Sequence, residues 1–166
     1  TQSRSSAASD VYKRQPELTQ HINEFYRLNK SFTVKLILPC IDDIELIAQS
    51  TLDQLQTMVG FSSDKLEQSK ILINEAVINA VEHSLTEMNQ IFIDFEVRYD
   101  ELFMTIRDTG KGFEVSEITV PNLTSKIEQK EFRGWGLSIM KNLSDDFSIH
   151  SDENGTQVRI NVHLID

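Results

Sequence analysis

The feature that most constrains the fold is strict alternation of apolar and polar residues near the C-terminal end. The segment "TQVRINVHLI" (156–165) puts Val158, Ile160, Val162 and Leu164 on one face of a strand. A strand with one apolar face needs a second layer of structure to cover it. This pattern therefore predicts a sheet with helices packed against one side.

Other segments predict the rest of that sheet. "IFIDFEV" (91–97) and "LFMTIR" (102–107) are joined by the polar turn "RYDE", which is typical of a hairpin. "SFTVKLIL" (31–38) reads as an earlier strand that Pro39 stops. "FSIHS" (147–151) is a short strand, and the Asn-Gly signal in the following "DENG" predicts a hairpin turn.

Two helices are predicted between the first strand and the hairpin. Apolar residues recur every three or four positions over 41–59, and Gly60 lies where a C-terminal stop is expected. A second helix begins with Ser63 or Asp64 as N-cap and runs to about residues 83–86.

A third helical pattern covers "RGWGLSIMKNLSDDF" (133–147), up to Phe147. We therefore expect an α/β two-layer sandwich: a mixed, mostly antiparallel sheet with one layer of helices.

The 166 residues suit one domain with two short N-terminal additions. Residues 1–15 are polar and aperiodic, and we interpret them as a disordered tail or a non-native segment. Residues 16–31 form an N-terminal extension with a short amphipathic helix pattern opened by Pro16. Residues 32–166 form the domain itself.

Charge and composition narrow the function classes. A formal net charge of −10 argues against direct binding of nucleic acid or of an anionic membrane surface. No segment approaches the roughly 18 apolar residues of a membrane span. The single cysteine, Cys40, permits no intrachain disulfide and suits a reducing compartment. We expect a cytoplasmic protein.

The second helix carries an unusual polar stripe. "ILINEAVINAVE" (71–82) is largely apolar, yet Glu75, Asn79, Glu82 and the next residue, His83, lie on one side at 100° per residue. A solvated helix face would explain the stripe. A site for a proton and a hard cation would also explain it, because carboxylate, amide and imidazole groups suit both tasks.

Three glycine-containing loops offer close backbone approach to a ligand. They are "DTGKGF" (108–113) after a strand, "RGWG" (133–136) at a helix start and "GTQVRI" (155–160) at a strand start. Each loop by itself is equally compatible with an ordinary turn.

The order and spacing of these motifs resemble a known superfamily. E-x-x-x-N-A-x-x-H on a helix, D-x-G-x-G-F, R-G-x-G-L and G-T follow one another as in the GHKL superfamily of ATP-binding proteins, which share the Bergerat fold. Within it, the chain is most similar to the bacterial anti-sigma factor serine/threonine-protein kinases. The resemblance covers about residues 32–165.

The resemblance implies a role for each matching residue. Glu75 would be the general base that takes the proton from a substrate hydroxyl, and Asn79 would bind Mg²⁺ through its amide oxygen. Asp108 would accept a hydrogen bond from the adenine amino group of ATP. Gly110 and Gly112 would let the backbone pass the base and ribose.

The later motifs imply the rest of the ATP site. Gly134 and Gly136 would cradle phosphate, and Thr156 would support the adenine pocket. Residues 114–132 take the place of the ATP lid. The role of His83 stays open between a structural histidine and a ligand contact. Other residues matched to nucleotide-binding motifs or the lid are Phe113, Lys126, Arg133 and Leu137.

The resemblance also implies partners. An anti-anti-sigma protein would be the phosphoacceptor, a sigma factor the second partner, and a homodimer the assembly. Two alternatives stay open: a nucleotide-gated binding module that sequesters a regulator, and a detached histidine-kinase-like ATPase domain. Glu75 argues against the second, because that class usually lacks a carboxylate four residues before the metal-binding Asn.

Overall fold

The computed structural model describes residues 20, 24, 31–83, 90–110, 112 and 136–165. The predicted tail, most of the extension and the predicted lid at 114–132 lie outside these residues. So do the site candidates Phe113, Lys126, Arg133 and Gly134, and their predicted roles stay predictions.

The described residues form one sheet of five strands. The strands are β1 Ser31–Pro39, β2 Gln90–Arg98, β3 Glu101–Arg107, β4 Asp146–Asp152 and β5 Gly155–His163. Their order in the sheet is β1-β2-β3-β5-β4, so the last strand in sequence lies between β3 and β4. Every described strand pair is antiparallel, so the sheet is more uniform than the mixed sheet expected.

The register places the alternating apolar residues in rows across the sheet. Phe95 lies opposite Met104, and Met104 lies opposite Ile160 on its other side. All three side chains are fully buried. The alternation in the sequence thus becomes one continuous apolar face, which the helices cover.

The two predicted helices are present, with starts that differ slightly from expectation. They are α1 Glu45–Val59 and α2 Ser63–Glu82. The expected start at residue 41 is wrong because the chain first turns through Asp43, whose φ is +63°. Gly60 does end α1, in the left-handed conformation at φ +85°. The N-cap of α2 is Ser62, one residue earlier than predicted, and its hydroxyl accepts from the Lys65 N–H.

The third helix, α3 Gly136–Leu143, is shorter than its apolar pattern suggests. The expectation that helix continues to Phe147 is wrong, because that residue lies in β4. Both the N–H and the hydroxyl of Ser144 donate to the Met140 carbonyl, and the next N–H, of Asp145, donates to Asn161 in the sheet. The chain therefore leaves the helix at residue 144.

The architecture is the expected α/β two-layer sandwich. The side of α2 that faces the sheet is fully buried at Leu72, Ile73 and Val77. On the face of the sheet opposite the helices, the guanidinium groups of Arg98 and Arg159 lie over the Phe103 ring at 4.8 and 5.1 Å. None of the described helices is long and apolar enough to cross a membrane.

Candidate functional site

A cavity of about 480 Å³ opens between α2, the start of α3 and the adjoining ends of β3 and β5. This volume is in the range of small-molecule sites, which run from roughly 300 to 1,000 Å³. The described residues that line it are Ala76, Asn79, Ala80, Glu82, His83, Ile106, Asp108, Gly136, Leu137, Ile149, Thr156 and Val158.

The polar stripe of α2 contributes Asn79, Glu82 and His83 to the cavity lining. Asn79 is half-buried, and its side-chain nitrogen Nδ2 is a buried donor with no hydrogen-bond partner among the residues that the structure describes. A buried amide donor left unpaired is costly, so such a group marks a place where a ligand oxygen would be favoured.

Gly136 brings the start of α3 against the same stripe. A Cβ atom on Gly136 would lie 2.8 Å from Oε2 of Glu75 and 3.0 Å from Nδ2 of Asn79. Only a residue without a side chain fits there while both groups keep their positions. Glu75 itself does not line the cavity, and it adjoins the site through Gly136.

The two mid-helix asparagines of α2 have different environments. Asn74 faces α1, where its side-chain oxygen accepts a hydrogen bond of 2.8 Å from Nε2 of Gln49. Asn79 faces the cavity. Asn74 therefore pairs with a neighbouring helix, whereas Asn79 is the one of the two that lines the cavity.

Asp108 forms the other end of the cavity, directly after β3. Its side chain is only 8% exposed, and Oδ1 accepts from the N–H groups of Gly110 at 2.8 Å and Thr156 at 3.2 Å. Its own N–H donates to the Thr156 carbonyl at 3.0 Å. Within the described residues, the hydrogen bonds to this carboxylate all go to Oδ1, so Oδ2 is the oxygen that can serve a ligand.

Thr156 is held beside this carboxylate by β4. Its hydroxyl lies 2.9 Å from the Ser151 hydroxyl, and the residue is 7% exposed. The hydrogen bond between the two hydroxyls orients the Thr156 side chain toward the cavity that it lines.

The glycines after Asp108 lie against protein rather than open space. A Cβ on Gly110 would lie 2.7 Å from the His83 carbonyl oxygen. Gly112, at φ +64°, packs on the turn between β4 and β5, where a Cβ would lie 2.0 Å from the Asp152 carbonyl oxygen. Gly155 packs in the same way on the Asp108 carbonyl oxygen. Close chain packing thus accounts for these glycines, and the predicted contact of Gly110 and Gly112 with base and ribose stays a prediction.

The structure brings five predicted site residues together around one cavity: Asn79, Asp108, Gly136, Leu137 and Thr156. Sequence reasoning missed the apolar walls of the cavity, because those residues read as ordinary core positions. They are Ala76 and Ala80 of α2 and the strand residues Ile106, Ile149 and Val158. The strand residues adjoin one another in register, with Val158 between Ile106 and Ile149.

The donor set at the Gly136 end suits a hard cation held together with phosphate. The Asn79 amide offers an oxygen ligand of the kind that Mg²⁺ accepts beside phosphate oxygens and water. No cluster of three or more His, Cys, Asp or Glu side chains occurs in the part of the chain that the structure describes. The residues therefore fit a metal that arrives with a ligand better than a metal bound by protein alone.

A two-layer sandwich with a cavity between the Asn79 amide and the buried Asp108 carboxylate has the layout of a small-molecule-binding domain. A family model described as the histidine kinase-like ATPase domain matches residues 42–162, and the chain belongs to that family. This match confirms the resemblance to the GHKL superfamily that the motifs indicated.

Within the family, the chain is similar to bacterial regulators. It is 35% identical to the anti-sigma F factor of Bacillus subtilis over 124 residues, which cover 72% of this chain and 84% of that protein. It is 26% identical to the serine-protein kinase RsbW of Listeria innocua over 126 residues, which cover 72% of this chain and 80% of that protein.

A solved structure supports the same fold. The crystal structure of the RsbU and RsbW domains of a Mycobacterium tuberculosis protein superimposes with a TM-score of 0.59 at 15% identity. The match covers 80% of this chain and 32% of that chain, so the present chain spans about a third of that protein's length.

Proposed function

We propose that this protein is an ATP-dependent serine/threonine-protein kinase that acts as an anti-sigma factor and phosphorylates an anti-anti-sigma partner. The observation that carries the proposal is the placement of Glu75 and Asn79 against Gly136, at one end of a cavity whose other end holds Asp108. The names of the two relatives, an anti-sigma factor and a serine-protein kinase, support it.

Asp108 would recognise the adenine base. An ionised carboxylate only accepts hydrogen bonds, and Oδ1 is already occupied by two backbone N–H groups. Oδ2 would accept from the exocyclic amino group of adenine, while the apolar walls of Ile106, Ile149 and Val158 would cover the ring. Guanine carries a carbonyl oxygen where adenine carries that amino group, so the same carboxylate would reject GTP.

Asn79 and Gly136 would hold the phosphate end. The unpaired Nδ2 of Asn79 would donate to a phosphate oxygen or a bound water, and the amide oxygen would go to Mg²⁺. The start of α3 favours negative charge because of its unpaired N–H groups and the helix dipole. When Mg·ATP is bound, the nucleotide would supply the transferable phosphoryl group, and the metal ion would neutralise part of the negative charge of the phosphates.

Glu75 would act as the general base. The hydroxyl oxygen of a serine or threonine on the partner forms a bond to the γ-phosphorus, and the bond from that phosphorus to the oxygen of the ADP leaving group breaks. The hydroxyl proton goes to the Glu75 carboxylate. A positioned base of this kind contributes about a hundred- to ten-thousandfold in rate.

The proposed partners follow from the same proposal of an anti-sigma factor with kinase activity. The anti-anti-sigma protein presents the hydroxyl, a sigma factor competes for the kinase, and two copies of the chain form the working assembly. Binding one partner excludes the other, and the bound nucleotide sets the preference.

The test compares the parent with Glu75→Gln, and Glu67→Gln serves as a matched control on the exposed side of the same helix. Glu67 makes only a 3.8 Å surface ion pair with Lys70, which contributes little to stability. Each protein is incubated with γ-labelled Mg·ATP and candidate anti-anti-sigma proteins, and ATP affinity is measured in parallel.

The expected result is phosphoryl transfer to Ser or Thr by the parent and by Glu67→Gln, and a loss of at least about a hundredfold in Glu75→Gln at unchanged ATP affinity. Equal ATP binding without transfer by any of the three would refute the kinase and leave the nucleotide-gated binding module. A parent that fails to bind ATP would refute both.

A further inference from the structure

Helices α2 and α3 touch at two places that are two helical turns apart. At one end, Gly136 lies against Glu75 and Asn79. At the other end, Nε2 of Gln68 donates a 2.5 Å hydrogen bond to the carbonyl oxygen of Leu143. Seven residues separate Gln68 from Glu75, and seven separate Gly136 from Leu143, so the two contacts fix the antiparallel register of the helices.

The contact at Leu143 matters because the described part of α3 has eight residues. A helix this short is marginal by itself, and its position depends on what it packs against. The last carbonyl groups of a helix lack partners within it, and the Gln68 amide satisfies one of them. The side chain of Met140 is fully buried and packs the middle of α3 against the core, but a thioether offers no directional hydrogen bond to fix the helix along its axis.

We propose that Gln68 is a positioning residue for the phosphate end of the site. Its hydrogen bond holds α3 at the axial position that brings Gly136 against Glu75 and Asn79, about 10 Å away along the helix. The inference rests on the proposed function, because it assigns phosphate and metal binding to that end. Loss of the hydrogen bond between Gln68 and Leu143 is expected to disturb phosphate binding and to leave adenine binding at Asp108 unaffected.

The chain offers a matched control. Gln56, at the end of α1, is also half-buried and also donates its side-chain amide to a backbone carbonyl, that of Phe61, at 3.0 Å. Substitution by Met removes the donor and keeps the length of the side chain at either position. Gln68→Met and Gln56→Met therefore lose the same kind of bond, one beside α3 and one in the connection between α1 and α2.

The experiment measures the affinities of each full-length variant for Mg·ATP and for adenosine by calorimetry. Gln68→Met is expected to weaken Mg·ATP binding by about three- to tenfold, the range that one lost hydrogen bond corresponds to. Adenosine binding should stay unchanged, and Gln56→Met should leave the ratio of the two affinities at the parent value. Gln68→Lys, which restores a donor at the helix C-terminus, should restore the ratio.

Equal weakening of both ligands by Gln68→Met would show a general structural role and overturn the proposal. A Gln68→Lys protein that behaves like Gln68→Met would overturn the hydrogen-bond account. If Gln68→Met does not fold, Gln68→Asn, whose amide is one methylene too short for the contact, takes its place. A parent that binds neither ligand would refute the proposed function, and the Gln68 proposal with it.

Discussion

Replacing Gly136 by Ala should separate folding from function. The added Cβ would lie 2.8 Å from Oε2 of Glu75, 3.0 Å from Nδ2 of Asn79 and 3.4 Å from its Oδ1. All three atoms are the ends of side chains, which can rotate away. The substitution therefore displaces the two groups proposed to act on the hydroxyl and the metal, without pushing against backbone.

Gly136→Ala is expected to change the stability of the fold little and the rate of phosphoryl transfer strongly. The overlap with Oε2 is roughly 0.5 Å, and rotating the carboxylate away from its preferred rotamer costs about 1 kcal/mol. Alanine recovers up to about 1 kcal/mol in a helix relative to glycine, so stability should stay within about 1 kcal/mol of the parent. A displacement of this size in a catalytic group lowers the transfer rate by about ten- to a hundredfold.

Gly60→Ala is the control with the opposite pattern. No atom of the described residues lies within 4 Å of its added Cβ, but its φ of +85° disfavours alanine, so the protein loses about 1 kcal/mol of stability. Urea unfolding and labelled phosphoryl transfer are measured on both variants. Parent-like transfer and ATP affinity in Gly136→Ala would refute the assignment of this position to the phosphate end.

Three further substitutions probe the other end of the site and the turn beside it. Asp108→Asn keeps an oxygen for the two backbone N–H groups but turns an NH₂ group toward the ligand. Calorimetry should therefore show ATP binding at least about tenfold weaker and a loss of stability near 1 kcal/mol. Gly155→Ala, at φ +129° with its Cβ 2.2 Å from a backbone oxygen, should lose about 3 kcal/mol in urea unfolding, and a loss below about 1 kcal/mol would contradict the packing described. The pKa of Asp152 is lowered from its ordinary value of 3.8, first by the backbone N–H of Asn154. Since the pKa of Asp152 is lower in the folded than in the unfolded protein, its ionised carboxylate stabilises the fold above pH 3.8. This stabilisation is lost as the pH falls through the folded pKa. The difference in unfolding free energy between the parent and Asp152→Asn should therefore disappear in acid.

The sequence predicted most of the fold because its signals are local. Alternation identified the strands, and a glycine in the left-handed conformation ended α1 where expected. The errors occurred where a tertiary contact overrides a local pattern. Phe147 continues the apolar spacing of α3, yet the chain leaves the helix because Asp145 donates to the backbone of Asn161. No periodicity in the sequence encodes that hydrogen bond.

The candidate site was predictable only in part for the same reason. Motif spacing identified Asn79 and Asp108, which the fold brings to one cavity. It did not identify the partner of Asn74, since that hydrogen bond comes from Gln49 on another helix. Nor did it identify Gln68, whose partner Leu143 is 75 residues away in sequence.

The position of β5 between β3 and β4 has a consequence for synthesis of the protein. The Asp108 carboxylate can accept its hydrogen bond from the Thr156 N–H only after the chain has been synthesised to that residue, which lies 48 residues later. The edge strand β4 likewise has no described neighbour in the sheet until β5 enters between it and β3. A nascent chain that has emerged from the ribosome only through β4 therefore lacks the Thr156 side of the proposed adenine site. That proposed site is complete only in chains that include β5.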